Sequence, residues 1–150
     1  MTWLAWARSS ALRLTGAAFR GLNHGRVSVG QMNEVIQNAL QTDRVIDITT
    51  TGRSSGKPRR LEMWFHNVDG IIYITGTPGS RDWYANLLGD PSFVFHLKES
   101  AQADLAARAT LITATDERRP VLEVITERVN ATAPLDEWVE HSPLVRVEFI

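Results

Sequence analysis

Alternation between apolar and polar positions dominates the middle of this chain and predicts a series of short β-strands. The clearest example is Pro58–Asn67, where Leu61, Met63 and Phe65 share one face of the expected strand. Similar stretches predict strands at Val45–Thr51, Ile71–Gly76, Ser92–Lys98, Asp104–Thr113 and Ser142–Ile150. An Asp-Gly pair at 69–70 separates two of these runs and is a strong hairpin signal.

Helical spacing or helix boundary signals appear in four other segments, at 3–19, 31–40, 81–88 and 115–129. The pattern therefore predicts about six strands and four helices. Short links between consecutive strands favour a mainly antiparallel sheet. So many strands in a short chain close most economically into a small barrel with helices outside, which is an α+β fold.

Length and composition restrict the class of protein. The 150 residues suffice for one globular domain, in which we expect an N-terminal helical segment, 1–42, and a cofactor-binding barrel, 43–150. A net charge of −1 argues against a nucleic-acid binder. The absence of cysteine excludes disulfides, thiolate catalysis and cysteine-ligated metals. The four histidines are scattered, so no metal site is expected.

Positive charge is concentrated at the N-terminus. Residues 1–33 carry a charge of +4, and the remainder carries −5. The arginines alternate with Trp3, Trp6 and Leu14, which predicts a basic amphipathic helix. Two interpretations stay open: a helix packed on the barrel or on a dimer partner, and a weak membrane-surface contact through residues 1–20. A secretory signal fits poorly, so we expect a cytoplasmic protein, membrane-associated if this helix binds lipid.

The stretch at 48–60 is the most informative candidate for chemistry. A β-branched run enters a turn with two glycines and two serines, and the chain leaves through Lys57, Arg59 and Arg60. Backbone N–H groups, hydroxyls and fixed positive charge are the groups that bind phosphate or carboxylate. An exposed polar hairpin turn has the same composition, so both interpretations remain open. The spacing matches neither a Walker A loop nor a dinucleotide fingerprint.

Other candidate groups are aromatic or lie near a helix start. Glu62 beside Trp64 suits a pocket for a flat ring or, equally, a solvent-facing strand. The segment 76–87 runs from a strand end into a helix and suits a second anion site. It also supplies Trp83, which is compatible with the core, and Tyr84. No nucleophile elbow or acid–base pair appears.

Three motifs together, at 49–59, 64–70 and 82–91, resemble the deazaflavin-dependent nitroreductase family. This family belongs to the split β-barrel, flavin-reductase-like superfamily, and the resemblance covers roughly residues 43–150. It implies a split β-barrel, coenzyme F-420 as the cofactor, and hydride transfer from the reduced deazaflavin to quinone-like or nitro substrates. It also implies a homodimer.

The resemblance assigns roles to individual residues. The segment matching the family's tail- and phosphate-binding turn comprises Thr51, Gly52, Arg53, Ser54, Ser55, Lys57 and Arg59. Glu62 and Trp64 match positions that line the deazaflavin and the substrate pocket. The second binding loop and its helix are matched by Thr77, Asp82, Trp83 and Tyr84. Of these residues, Glu62, Trp64 and Tyr84 are the candidate catalytic groups.

Three departures from the family pattern leave alternatives open. Ser54 stands where many members carry a lysine, and Glu62 replaces a common proline or neutral residue. The loop at 76–83 is shorter than in the nitroreductases of the family. An FMN-dependent reductase or oxidase on the same barrel is therefore an alternative. A non-catalytic flavin- or haem-binding protein is another.

Overall fold

The computed structural model describes residues 29–150, which form six strands and four helices. The strands are β1 (Val45–Thr51), β2 (Pro58–Val68), β3 (Ile71–Thr75), β4 (Ser92–Leu97), β5 (Ala103–Leu111) and β6 (Leu144–Phe149). The helices are α1 (Val29–Thr42), α2 (Asp82–Gly89), α3 (Thr115–Arg128) and α4 (Leu135–His141). All strand pairs are antiparallel, and the sheet closes into a barrel in the order β1-β2-β3-β6-β5-β4.

The barrel interior is filled by the apolar face of each strand. Ile46 and Ile48 of β1 are fully buried and face the interior with Phe65 of β2 and Phe95 of β4. The rings of Phe65 and Phe95 meet edge-on, with centroids 5.3 Å apart. Edge-to-face packing is favourable for aromatic rings, and burial of these side chains supplies most of the stabilisation of the barrel.

The helices cover the barrel in two groups. Helices α1 and α2 join the barrel core through Ile36, Leu40, Trp83 and Leu87, all buried. Helices α3 and α4 form a second apolar cluster against the outside of β3 and β6, with Ile125 as one buried member. The fold therefore leaves the outward face of β2 between these two helical layers.

The turn between β2 and β3 shows how local sequence sets the register. Asp69 and Gly70 have positive φ angles of 52° and 86°, the conformation of the type I′ turn that matches strand twist. The register that follows buries Phe65 and turns Glu62, Trp64 and His66 outward. The predicted hairpin and the predicted faces of β2 are both confirmed.

The element predictions agree with the structure within two residues at each end, with one omission. Helix α4 was not predicted, because seven residues give too few turns for a helical period to stand out. The helix predicted at 3–19, with its proposed lipid contact, lies outside the described residues. Among the helices described, none is long and apolar enough to cross a membrane.

Candidate functional site

The turn between β1 and β2 is closed by its own backbone. Gly52 N donates to Lys57 O, and Gly56 N donates to Gly52 O, each at 2.8 Å. Gly56 has a φ of +69°, which favours glycine, and a Cβ at Gly52 would lie 3.2 Å from Lys57 O. The turn is therefore a tight, preorganised structure with exposed serine side chains at its tip.

Helix α2 fixes this turn through Asn86, which is 5% exposed. The Oδ1 atom of Asn86 accepts from the backbone N and from Nη1 of Arg53, both at 3.1 Å. Its Nδ2 group donates to Oγ1 of Thr50 at 3.2 Å. Arg53 Nη2 also donates to Asp82 Oδ1 at 3.2 Å. Strand β1, the turn and α2 thus form one hydrogen-bonded unit.

A cleft of about 470 Å³ opens between this turn, the start of β2 and α2; we call it the cradle cleft. Its lining includes three arginines, Arg53, Arg59 and Arg60, and one carboxylate, Asp82. Arg53 pairs with Asp82 inside the cleft, whereas Arg60 pairs with Asp47 outside it. Within residues 29–150, Arg59 forms no ion pair. The cleft therefore carries net positive charge beside the exposed side chains of Ser54 and Ser55.

A second cleft, of about 490 Å³, lies between the outward face of β2 and the segment joining α3 to α4; we call it the aromatic cleft. Trp64, 49% exposed, forms one wall, and Trp138 of α4, 4% exposed, forms another. The Nε1–H group of Trp138 has no acceptor among the described residues. The exposed ring of Trp64 and the mainly apolar lining suit a flat ligand.

The two clefts lie at different positions along β2 and share no bordering residue. Arg60 and Trp64 project from the same outward face, and four residues of strand span about 13 Å. Glu62 lies between them with an exposed side chain. Its carboxylate pairs with Lys98 Nζ, which also contacts Asp47 Oδ1 at 2.7 Å. The carboxylate of Glu62 is therefore already occupied by a cation.

The hydrogen bond between Lys98 and Asp47 shifts the pKa values of both groups. The hydrogen bond from Lys98 lowers the pKa of Asp47, and burial opposes this effect. The hydrogen bond to Asp47, followed by that to Glu62, raises the pKa of Lys98. The charges of Asp47 and Lys98 therefore stay fixed around neutral pH, and their ion pair lies between the two clefts.

The loop before α2 does not present a simple anion site. Arg81 Nη2 donates to the carbonyl oxygen and to Oγ1 of Thr77, at 3.0 and 2.7 Å. Arg81 Nη1 donates to Ser80 O at 3.0 Å. The loop is thus braced by its own arginine. Thr77 faces the aromatic cleft, whereas Asp82 at the helix start faces the cradle cleft.

A third cleft, of about 790 Å³, lies between α2 and α4 and includes Tyr84. The ring of Tyr84 meets Trp83 edge-on at 6.0 Å. Arg118, 6% exposed, lies at the back of this cleft and donates to the carbonyls of Ile112, Trp138, Val139 and Ser142. Burial lowers the pKa of Arg118, and its guanidinium closes the end of α4.

The structure brings most of the residues chosen from sequence into one place. The cradle cleft is bordered by Gly52, Arg53, Ser54, Ser55, Arg59, Asp82 and Trp83, of which Trp83 is also a core residue. Trp64 and Thr77 border the aromatic cleft, and Tyr84 borders the third. None of the three clefts is bordered by Thr51, Lys57 or Glu62.

Two residues of the site were missed from sequence. Asn86 follows Asp82 by four residues, so it shares the helix face that meets the turn, and this spacing was a usable signal. Trp138 lies in the helix that was not predicted. No local pattern indicated that it would meet Trp64, which is 74 positions away in the sequence.

This chain is similar to known proteins both in sequence and in structure. A family model described as F420H(2)-dependent quinone reductase matches residues 24–148. A solved F420-H2 dependent reductase has a TM-score of 0.53 at 20% identity, over 71% of this chain and 95% of that chain.

Two further solved structures share the split β-barrel fold. A conserved hypothetical protein from Mycobacterium tuberculosis has a TM-score of 0.59 at 20% identity, over 76% of this chain and 78% of that one. General Stress Protein 26 from Bacillus anthracis has a TM-score of 0.59 at 14% identity, over 77% and 87%. At these identities the structures support the fold alone, and the predicted split β-barrel is confirmed.

Proposed function

Because the chain belongs to the F420H(2)-dependent quinone reductase family, a family of oxidoreductases, we propose that it binds reduced coenzyme F-420 and transfers hydride to a quinone-like or nitro-substituted acceptor. The observation that carries this proposal is the cradle cleft, where Arg59 forms no ion pair with any residue from 29 to 150. An uncompensated guanidinium beside a preorganised turn is suited to an anionic ligand.

The residues present fit the anionic end of the cofactor. Arg59 and Arg53 supply charge, and the exposed hydroxyls of Ser54 and Ser55 supply hydrogen bonds. Arg53 is already oriented by Asn86 and Asp82, so its binding geometry is set before the ligand arrives. Ser54 stands where many family members carry a lysine, and Arg59, which forms no ion pair with any residue from 29 to 150, supplies positive charge in this cleft.

The aromatic cleft suits the acceptor and the reacting ring. When bound, the cofactor supplies the hydride, and the protein binds, orients and excludes water. Trp64 offers an exposed aromatic face, and Trp138 forms a buried wall of the same cleft. An exposed ring face beside a mainly apolar lining favours a flat acceptor.

A binding titration tests the cofactor. We expect F-420 to bind more tightly than FMN, because the cradle cleft has several cationic groups for a long anionic tail. Arg53→Ala combined with Arg59→Ala should weaken F-420 binding by about 3 kcal/mol, roughly 100-fold, since two charge-assisted contacts are lost. Arg108→Ala, an exposed arginine on β5, is the matched control. Tighter FMN binding, or an unchanged double variant, would refute the proposal.

A turnover assay tests the reaction. Anaerobic mixing of reduced F-420 with menadione should restore the oxidised deazaflavin absorbance at about 420 nm. Trp64→Ala should raise the KM for menadione, whereas Trp64→Phe should largely preserve it, because a ring face is retained. Bound F-420 with no turnover would instead support a non-catalytic carrier.

Assembly remains a separate proposal. We propose a homodimer, since Trp64 and Leu88 are large apolar side chains that are 49% and 71% exposed. Such exposure is often covered by a partner. Light scattering that reports the 16.8 kDa monomer mass at micromolar concentration would contradict it.

A further inference from the structure

A fourth cleft, of about 570 Å³, adjoins the aromatic cleft; we call it the arginine cleft. It lies between the end of α1, β2 and the last residue of α3. His66 borders both clefts, so the arginine cleft begins where the aromatic cleft ends. A ligand seated against Trp64 and Trp138 therefore has a polar extension available directly past His66.

Two arginines give this cleft its charge. Arg128 Nη1 donates to Asn67 O at 2.6 Å, which orients the guanidinium and leaves its other N–H groups without partners in the described part of the chain. Arg44, at the start of β1, is exposed and forms no ion pair with any residue from 29 to 150. Both guanidinium groups border the cleft.

The arginine cleft is also bordered by two acidic residues, Asp43 and Asp69, but neither forms an ion pair with its arginines. Asp43 Oδ2 accepts from the backbone N of Ser100 at 3.0 Å, and neither carboxylate oxygen contacts Arg44 or Arg128. Asp69, at the tip of the turn, forms no ion pair with either arginine. The two cationic groups are thus uncompensated by direct contact within residues 29–150.

The pKa of His66, which borders both clefts, reflects its burial and the charges around it. Its pKa falls to about 4, first because of burial and then because of the charges of Arg128 and Arg44. The imidazole is therefore neutral at physiological pH, and the positive charge beside it comes from the two arginines. A negative group placed beside His66 would oppose their field and raise this pKa.

We propose that the physiological acceptor is a planar, oxygen-bearing ring with a carboxylate substituent, whose ring lies in the aromatic cleft and whose carboxylate binds Arg44 and Arg128. This inference rests on the proposed function and narrows its substrate class. A carboxylate matches the planar fork of a guanidinium, and two such groups flank one cleft.

Calorimetric titration of the protein alone tests the proposal with two nearly isosteric quinones. We expect anthraquinone-2-carboxylate to bind at least about tenfold more tightly than anthraquinone-2-carboxamide, since charge-assisted contacts exceed neutral ones. Arg44→Gln combined with Arg128→Gln should bring the ratio close to one. Arg108→Gln should preserve it, and glutamine at 128 keeps a donor for Asn67 O.

A second readout is the titration of His66 by NMR. The carboxylate should raise the His66 pKa above about 4, and the carboxamide should leave it unchanged. Equal binding of the two quinones by the native protein would overturn the inference, as would a preference that survives the double variant.

F-420 binding and menadione reduction separate the two proposals. If both occur in the native protein but the carboxylate is not preferred, only this inference fails. If the carboxylate is preferred but F-420 does not bind, the proposed function fails, and with it the assignment of this ligand as an acceptor. The Arg44→Gln, Arg128→Gln variant should retain F-420 binding, because neither residue borders the cradle cleft.

Discussion

The cradle cleft and the aromatic cleft are built in opposite ways. The cradle cleft is built around one turn of the chain. Backbone hydrogen bonds and Asn86 of α2 hold this turn in place. The aromatic cleft gathers β2, the end of β3 and the segment between α3 and α4, and its wall is mainly apolar. An anion site must hold its donors in place before the ligand arrives, whereas an apolar cleft needs only shape.

This contrast implies that the site is most sensitive to changes in the packing of α4. The helix has seven residues, and Arg118 of α3 bonds the carbonyls at its C-terminal end. Trp138, the buried wall of the aromatic cleft, lies on this helix. The aromatic cleft should therefore depend on one distant side chain, and the cradle cleft should not.

Arg118→Leu is expected to have the largest effect. It leaves the carbonyl groups of Ile112, Trp138, Val139 and Ser142 without their donor, and should lower the free energy of unfolding by about 3–5 kcal/mol. Urea unfolding measures this change. Where the variant remains folded, menadione affinity should fall more than F-420 affinity.

The neighbouring arginine provides the matched control for this prediction. Within residues 29–150, Arg119 forms a single exposed ion pair, with Asp136, so Arg119→Leu should change stability by less than about 1 kcal/mol. Equal losses in the two variants would mean that the carbonyl bonds of Arg118 do not hold α4. A larger loss of F-420 affinity than of menadione affinity would break the proposed separation of the two clefts.

His66, at the far end of the aromatic cleft, predicts a pH dependence of stability. Its pKa is about 4 in the folded protein and 6.5 in the reference state, so the unfolded chain binds the proton first. This contribution is complete above pH 6.5 and is lost as the pH falls toward 4. It amounts to at most about 3 kcal/mol.

Unfolding measured from pH 7 to pH 4 checks this sign. His66→Gln should flatten the slope in that range, whereas His141→Gln, at an exposed histidine, should follow the native protein. A His66→Gln slope equal to that of the native protein would show that this imidazole is not desolvated.

The same contrast explains which features the sequence could predict. The turn at 51–57 depends on residues adjacent in sequence, so its glycines, serines and basic residues were sufficient to locate it. The faces of β2 followed from period-two alternation. The placement of Trp138 in the same cleft as Trp64 depends on how α4 packs, and a one-turn apolar pattern does not encode that placement. The placement of Glu62 against Lys98 likewise required the pairing of β1 with both β2 and β4.

Asn86→Ala tests how far the cradle cleft depends on this one side chain. It removes the acceptor for the backbone N and the guanidinium of Arg53, and the donor to Thr50. Stability should fall by about 1–2 kcal/mol, since these are neutral or singly charged hydrogen bonds. F-420 affinity should fall roughly tenfold, because Arg53 is no longer preoriented. Menadione affinity measured beside it should stay constant; a parallel fall would mean that the two clefts are not independent.

Glu62→Gln should have the smallest effect of these substitutions. It tests whether Glu62, which lies between the two clefts, takes part in catalysis. Its carboxylate is exposed and pairs with Lys98, so its loss should change stability by less than about 1 kcal/mol. Steady-state kinetics should show kcat changing by a factor of about three or less, because the carboxylate pairs with Lys98 and Glu62 borders neither the cradle cleft nor the aromatic cleft. Glu123→Gln, on the exposed face of α3, is the control. A 100-fold fall in kcat with unchanged F-420 affinity would identify Glu62 as a catalytic residue, because general acid–base catalysis contributes about that much or more.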